Sequence, residues 1–155
     1  EQFGLQKIIV STYQAVSGAG IDAINELKDQ SADFDNAATA EAKVLPVKSA
    51  DRHYPIAFNA VPQIDQFADN GYTLEEMKMI NETKKIMSDQ GLAVAATCVR
   101  LPVVTGHSES VYVELGDAPS VQQVREALNG ASGVVLQDDP ANQEYPMPLK
   151  RFPMS

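Results

Sequence analysis

Six side chains stand where their types and spacing could do chemistry: Gln14, Glu75, Lys78, Cys98, Arg100 and His107. Glu75 and Lys78 are three apart in a helix-patterned run, so both project from one face and offer a base-like acceptor and an anion-binding ammonium to one cleft. As a surface ion pair the two would contribute only ~0.3 to 0.5 kcal/mol. Arg100 ends an otherwise apolar strand-like run, and its planar fork suits two-point binding of a carboxylate, whether a ligand's or one inside the protein. Gln14 lies between a strand-like run and a glycine turn, where its amide could orient a substrate through a donor and an acceptor or simply be solvated. His107 follows Gly106 at a strand junction, where an imidazole could move a proton near neutral pH or be an ordinary surface residue.

Cys98 precedes Arg100 by two, so on a regular strand both point to the same side. A thiol nucleophile with His107 as its base is one reading. The flanking Ala95, Ala96, Thr97 and Val99 form an apolar setting that raises a thiol pKa, which favours a packed structural cysteine instead. The turn Ser17-Gly18-Ala19-Gly20 could hold a phosphate or only make a bend, because both uses need glycine's freedom and close approach.

The elements that must position these groups follow from local pattern. Residues 5–13 are β-branched and aromatic, predicting a strand, and "IDAINELKDQ" after the glycine turn carries helical spacing at Ile21, Ile24 and Leu27. Residues 29–43 are polar and small, the most loop-like region and the one expected to be mobile. Prolines 55 and 62 bar a regular helix, so extended segments are expected there. In "YTLEEMKMINETKKIM" Thr73 and Glu76 fit a capping box, and Leu74, Met77, Ile80, Thr83 and Met87 predict a buried stripe. "LAVAATCVRLPVV" and "ESVYVEL" read as two strands joined through "TGHS"; "SVQQVREALNGASG" reads as a helix with a Ser120–Gln123 capping box, followed by a "VVL" strand at 134–136. The order predicts an α+β fold with a mixed, largely antiparallel sheet whose helices cover one face.

The 155 residues suit one domain, residues 1–155, able to bury roughly 70% of its unfolded surface. A net charge of −9 and a pI near 4.6 argue against a nucleic-acid partner, since phosphate backbones are held by clustered Lys and Arg. No apolar run approaches the roughly 20 residues of a membrane span, and the start lacks a signal-peptide pattern, so a cytoplasmic protein without a membrane partner is expected. One cysteine and two histidines leave no metal-ligand spacing. The opening loop is not G-x-G-x-x-G, so a complete dinucleotide-binding domain is missing.

Taken together, "STYQAVSGAG", the helix bearing "EEMK" with "ETKKI" behind it, and "TCVRLPVVTGHSESVYVE" closely resemble the catalytic and dimerisation domain of bacterial aspartate-β-semialdehyde dehydrogenases. "FNAVPQID" and "LQDDPANQEYPMP" resemble the same family, so the likeness runs from about residue 5 to about 148. It implies a glyceraldehyde-3-phosphate-dehydrogenase-like C-terminal domain that forms a homodimer. It also implies NADP chemistry: a cysteine thiolate made with a histidine's help attacks the aldehyde, hydride passes to NADP, and phosphate cleaves the thioester. In the cell the reaction runs mainly in reverse, reducing aspartyl phosphate for lysine, threonine and methionine biosynthesis. Carried onto these positions, the resemblance makes His107 the acid–base residue and Arg100 and Glu75 substrate contacts. Gln14 then orients substrate or acyl intermediate, Lys78 contacts phosphate, and Ser17 and Gly18 form a cofactor-side loop.

The family's nucleophile sits in an Asn-Cys motif upstream of "STYQAVSGAG", a motif these residues lack, and Cys98 does not match it. The expectation is therefore a truncated chain, without its nucleotide-binding domain and inactive alone. Three other readings are a non-catalytic dimerisation module, a domain of the related N-acetylglutamyl-phosphate reductase, and a thiol hydrolase built on Cys98. "QAVSGAG" and "RLPVVTGHSE" favour the aspartate enzyme over the second.

Overall fold

The computed structural model describes residues 2–149. Strand β1 (Leu5–Gln14) leads through a 3-10 turn (Val16–Ala19) into helix α1 (Ile21–Ser31), and a long irregular stretch then reaches α2 (Leu74–Ile86). Strands β2 (Ala93–Arg100) and β3 (Ser108–Leu115) come next, then α3 (Val121–Asn129). The sheet order is β2-β1-β3, with β1 parallel to β2 and antiparallel to β3. The class is α+β with a mixed sheet, as the sequence predicts, but the sheet is not largely antiparallel, since one of its two strand pairings is parallel. The strands joined through "TGHS" do not pair with each other; they flank β1, because the connection carrying α1 and α2 returns β2 alongside β1 in parallel.

Alternation sorts the two faces. Val10, Thr12 and Gln14 of β1 and Ala96, Cys98 and Arg100 of β2 are all buried on one face, in the register Val10↔Ala96, Thr12↔Cys98 and Gln14↔Arg100. The register therefore places Gln14 beside Arg100 at the carboxyl ends of two parallel strands, the end of a sheet where ligands commonly sit. On the opposite face Ile9, Tyr13 and Tyr112 are exposed, with Ile9 paired to Tyr112.

A second cluster lies under α1, where Val16, Ala23 and Leu27 pack with Val44, Leu45, Ile56, Ala57 and Val61. Gly20 enters α1 at φ 91° and ψ −178°, a region only glycine adopts without strain. The loop-like stretch after residue 29 is fastened rather than free-standing: α1 continues to Ser31, Ala37–Thr39 form a 3-10 turn, and Gln30 acts as a buried staple. Its Nε2 donates to the Glu41 carbonyl (3.0 Å), and its Oε1 accepts from the Ile56 and Ala57 amides (2.8 and 3.2 Å).

Helix α2 has both halves of the predicted capping box. Its expected buried stripe is not formed: Leu74 is exposed, and Met77, Ile80, Thr83 and Met87 are only half-buried. The most deeply buried α2 side chain is Glu76, because the helix meets the edge of β2 through that carboxylate. Residues 134–136 form no strand; Val134 closes a turn on Ala131, and the extended run has no ladder neighbour. Among the described residues no helix is long and apolar enough to cross a membrane.

Candidate active site

Chain ends and turns bring the singled-out residues together. Past Gln14 the chain stays tied to the residues after β2: Leu101 N–H donates to the Gln14 carbonyl (2.9 Å), Val16 N–H to Val103 (2.8 Å) and Ser17 N–H to Val104 (3.1 Å). The glycine turn is thereby laid against the segment leading to His107. Gln14, Gly18, Glu75, Lys78, Arg100 and His107 all line one cavity of about 500 Å3, with Lys48 and Asp65 also on its wall. Ser17 is not among the lining residues, and its backbone amide is already bonded to Val104.

The side chains fall into two hydrogen-bonded groups. Gln14 Nε2 donates to Glu75 Oε1 (3.1 Å), linking the end of β1 to α2. Lys78 Nζ stands 3.9 Å from Glu75 Oε2, at the limit of an ion pair; Lys78 is largely exposed, which leaves its ammonium available to an anion. Arg100 is buried, and its Nη1 donates to the Ala15 carbonyl (2.6 Å). Ala15 N–H donates in turn to Nδ1 of His107 (3.1 Å), so one residue's backbone engages both groups. With Nδ1 accepting, a neutral His107 ring carries its proton on Nε2, a nitrogen on the side of the ring near Gly18.

Of the two partners the sequence allows Arg100, an internal carboxylate is not the one it meets among the described residues. Among the described residues no carboxylate lies within salt-bridge distance of it, and its Nε is buried without a partner. Burial lowers its pKa while the more distant Glu75 carboxylate opposes that shift, and a guanidinium remains charged regardless. A buried cation bonded to one carbonyl has no counter-charge within salt-bridge distance among the described residues.

Cys98 belongs to the packing. It is fully buried, and burial pushes its thiol pKa up, with the Glu76 and Glu75 carboxylates adding to the rise. Iodoacetamide at neutral pH is expected to leave Cys98 unmodified in the folded chain and to label it in denaturant. Stoichiometric labelling of the folded chain would revive the hydrolase reading.

Residues 1–154 match the family model described as the semialdehyde dehydrogenase dimerisation domain. The chain belongs to this family. It is 60% identical over 147 residues to the aspartate-semialdehyde dehydrogenase of Bacillus subtilis, covering 94% of this chain and 42% of that protein. Against the Aquifex aeolicus enzyme it is 49% identical over 149 residues, spanning 96% of this chain and 42% of the relative. The semialdehyde dehydrogenase fold is shared with a crystal structure of aspartate semialdehyde dehydrogenase II from Vibrio cholerae complexed with ASA. There the TM-score is 0.74 at 46% identity, over 84% of this chain and 37% of that one. The chain thus spans about two fifths of the length of the curated relatives it matches.

The sequence missed Lys48 and Asp65 as cavity residues, and Glu76 as more than a helix cap. Asp65 lies inside "FNAVPQID", whose prolines signalled irregular backbone but not its destination; it adopts φ 69°, a left-handed conformation that Asp tolerates better than most residues. A larger cleft of about 700 Å3 lies along the acidic side of α1, and it shares only Val44 and Lys48 with the cavity above.

Proposed function

We propose that this chain supplies the substrate-side half of an aspartate-semialdehyde dehydrogenase active site, together with the surface through which two copies pair. The observation that carries this is the buried, carboxylate-free Arg100 sharing a cavity with the Gln14–Glu75 pair, Lys78 and His107. Arg100 holds the substrate carboxylate in a two-point bond, and Glu75 accepts from its ammonium. Gln14 is fixed by Glu75 and turns its remaining polar capacity toward the reacting carbonyl. Lys78 holds phosphate, and His107, with Nε2–H toward the cavity, gives and takes the proton at the reacting oxygen and thiol.

The residues fit an NADP-dependent reaction on one side only. A Cβ at Gly18 would stand 3.2 Å from Arg100 Nη1 and 3.9 Å from the His107 ring, so glycine keeps space open beside the reacting centre. NADP supplies the hydride acceptor when bound there; the attacking thiol comes from outside these residues, because Cys98 is sealed in the sheet. The 155-residue chain alone accordingly turns over no substrate. The reaction belongs to amino-acid biosynthesis, leading from aspartyl phosphate toward lysine, threonine and methionine.

The test is a chimera in which this chain replaces the 147 aligned residues of the Bacillus subtilis relative. NADP- and phosphate-dependent oxidation of aspartate semialdehyde is expected. A folded chimera without that activity, or one that prefers N-acetylglutamate semialdehyde, overturns the reading. In the same chimera Gly18→Ala presses on the Arg100 guanidinium and forces it off its rotamer at about 0.5–1.5 kcal/mol, so KM for the aldehyde is expected to rise roughly 2- to 10-fold.

Homodimerisation is assigned to the open sheet face, where a second copy covers Ile9, Tyr13 and Tyr112. Light scattering of the 155-residue chain at micromolar concentration is expected to give twice the monomer mass. A strict monomer counts against pairing through these residues alone.

A further inference from the structure

We infer that Glu76 is a positioning residue: its carboxylate bridges the start of α2 to the edge of β2 and so sets the spacing between Glu75 and Lys78 on the helix and Arg100 on the strand. The inference rests on the proposed dehydrogenase function for its kinetic consequences, but not for its geometry. Glu76 Oε2 accepts from Thr73 N–H (2.8 Å), the ordinary second half of a capping box. Its other oxygen goes elsewhere. Oε1 accepts from the Cys98 backbone N–H (3.1 Å), on the edge of β2 that faces away from β1.

The same edge holds the backbone of the guanidinium-bearing residue. Two positions past Cys98, Arg100 exchanges backbone hydrogen bonds with Val61 (2.9 and 3.0 Å) on the same side of the strand. Carboxylate and bridge together complete the outer edge of β2 immediately before and at the residue that presents the guanidinium. On the helix side, Glu75 directly precedes Glu76 and reaches Gln14, while Lys78 lies further along the same turn. A single nine-tenths-buried carboxylate therefore ties the helix carrying two cavity groups to the strand carrying the third.

An ordinary capping residue would only stabilise the helix; the bond to Cys98 adds a tertiary constraint. Thr73 and Cys98 meet different oxygens of Glu76, and in Glu76→Gln one of these becomes an NH2 that only donates, so in the same pose one of the two bonds is lost. Thr73→Ala removes the opposite half of the box, Glu76 N–H to Thr73 Oγ1 (3.2 Å), and leaves both carboxylate bonds in place. The two variants separate positioning from helix stability.

In the chimera, Glu76→Gln is expected to raise KM for both aldehyde and phosphate by at least ~10-fold with kcat within about 3-fold, whereas Thr73→Ala lowers Tm but moves KM less than ~2-fold. Glu76→Asp, which is too short to span both partners, is expected to behave as Glu76→Gln does and serves if the glutamine variant does not fold. Equal KM changes in the Thr73 and Glu76 variants, or no KM change in folded Glu76 variants, overturn the inference. Hydrogen exchange on the 155-residue chain tests the geometry without any activity. The Cys98 amide should exchange at least ~10-fold faster in Glu76→Ala, which removes both acceptor oxygens, with Thr97 and Val99, which face β1, unchanged. An unchanged Cys98 rate overturns the inference even if the chimera is active; a faster rate in an inactive chimera supports the bridge and faults only the dehydrogenase function.

Discussion

Arg100→Lys in the chimera is expected to cut kcat/KM for aspartate semialdehyde by about 30- to 5,000-fold, the consequence of losing ~2 to 5 kcal/mol when one member of a buried, hydrogen-bonded charge pair is replaced. Lysine keeps the sign of the charge but not the fork. Arg100 spends Nη1 on the Ala15 carbonyl and still has donors for a carboxylate, whereas one ammonium must choose between the two. A buried lysine also sheds its proton more readily, which weakens what charge remains. The loss should fall mainly on KM if the carboxylate is held equally in ground and transition states, and also on kcat if that grip aligns the reacting carbon. Steady-state kinetics with the aldehyde and with a substrate lacking the carboxylate separate the two: the truncated substrate should be nearly indifferent to Arg100→Lys. Equal losses for both substrates would show that Arg100 serves structure rather than recognition.

His107→Asn is expected to lower kcat by about 10²- to 10⁴-fold, the usual worth of a positioned proton-transfer group, with a much smaller change in KM. Asparagine is the informative replacement because its side-chain oxygen falls near the position of Nδ1 and can still accept the Ala15 amide, so the loop geometry is retained while Nε2 is removed. Single-turnover kinetics check whether the defect lies in the chemical step. A kcat within about 3-fold of the parent chimera would return His107 to the status of an exposed loop residue, which the sequence alone left open.

Much of the candidate site is legible in the sequence, and the reasons differ by residue. Alternation placed Cys98 and Arg100 on one side of a strand, and the structure has both buried there. Thr73 and Ser120 announced two helices because capping is local chemistry, written within four residues. Pairing is not local. That β1 would lie parallel to β2, with Gln14 opposite Arg100, depends on residues at opposite ends of a long connection, and no periodicity carries that register. The expected stripe on α2 failed for a related reason: helical spacing reports which side chains share a face, not whether apolar groups or a carboxylate meet the neighbouring strand. Glu76 satisfied the capping pattern, so nothing in the pattern suggested a second partner. Gln30 was equally silent, since a polar residue at the end of a helix reads as solvated until the backbone it staples is known.

Ala15 has the least conspicuous side chain near the cavity, yet its carbonyl receives the guanidinium and its amide holds the imidazole. Arg100 and His107 are thus wired through main chain rather than through each other. Alanine scanning would pass over position 15 as blank, and a glycine there would leave the wiring whole, so this junction is visible only to methods that perturb or observe peptide groups themselves.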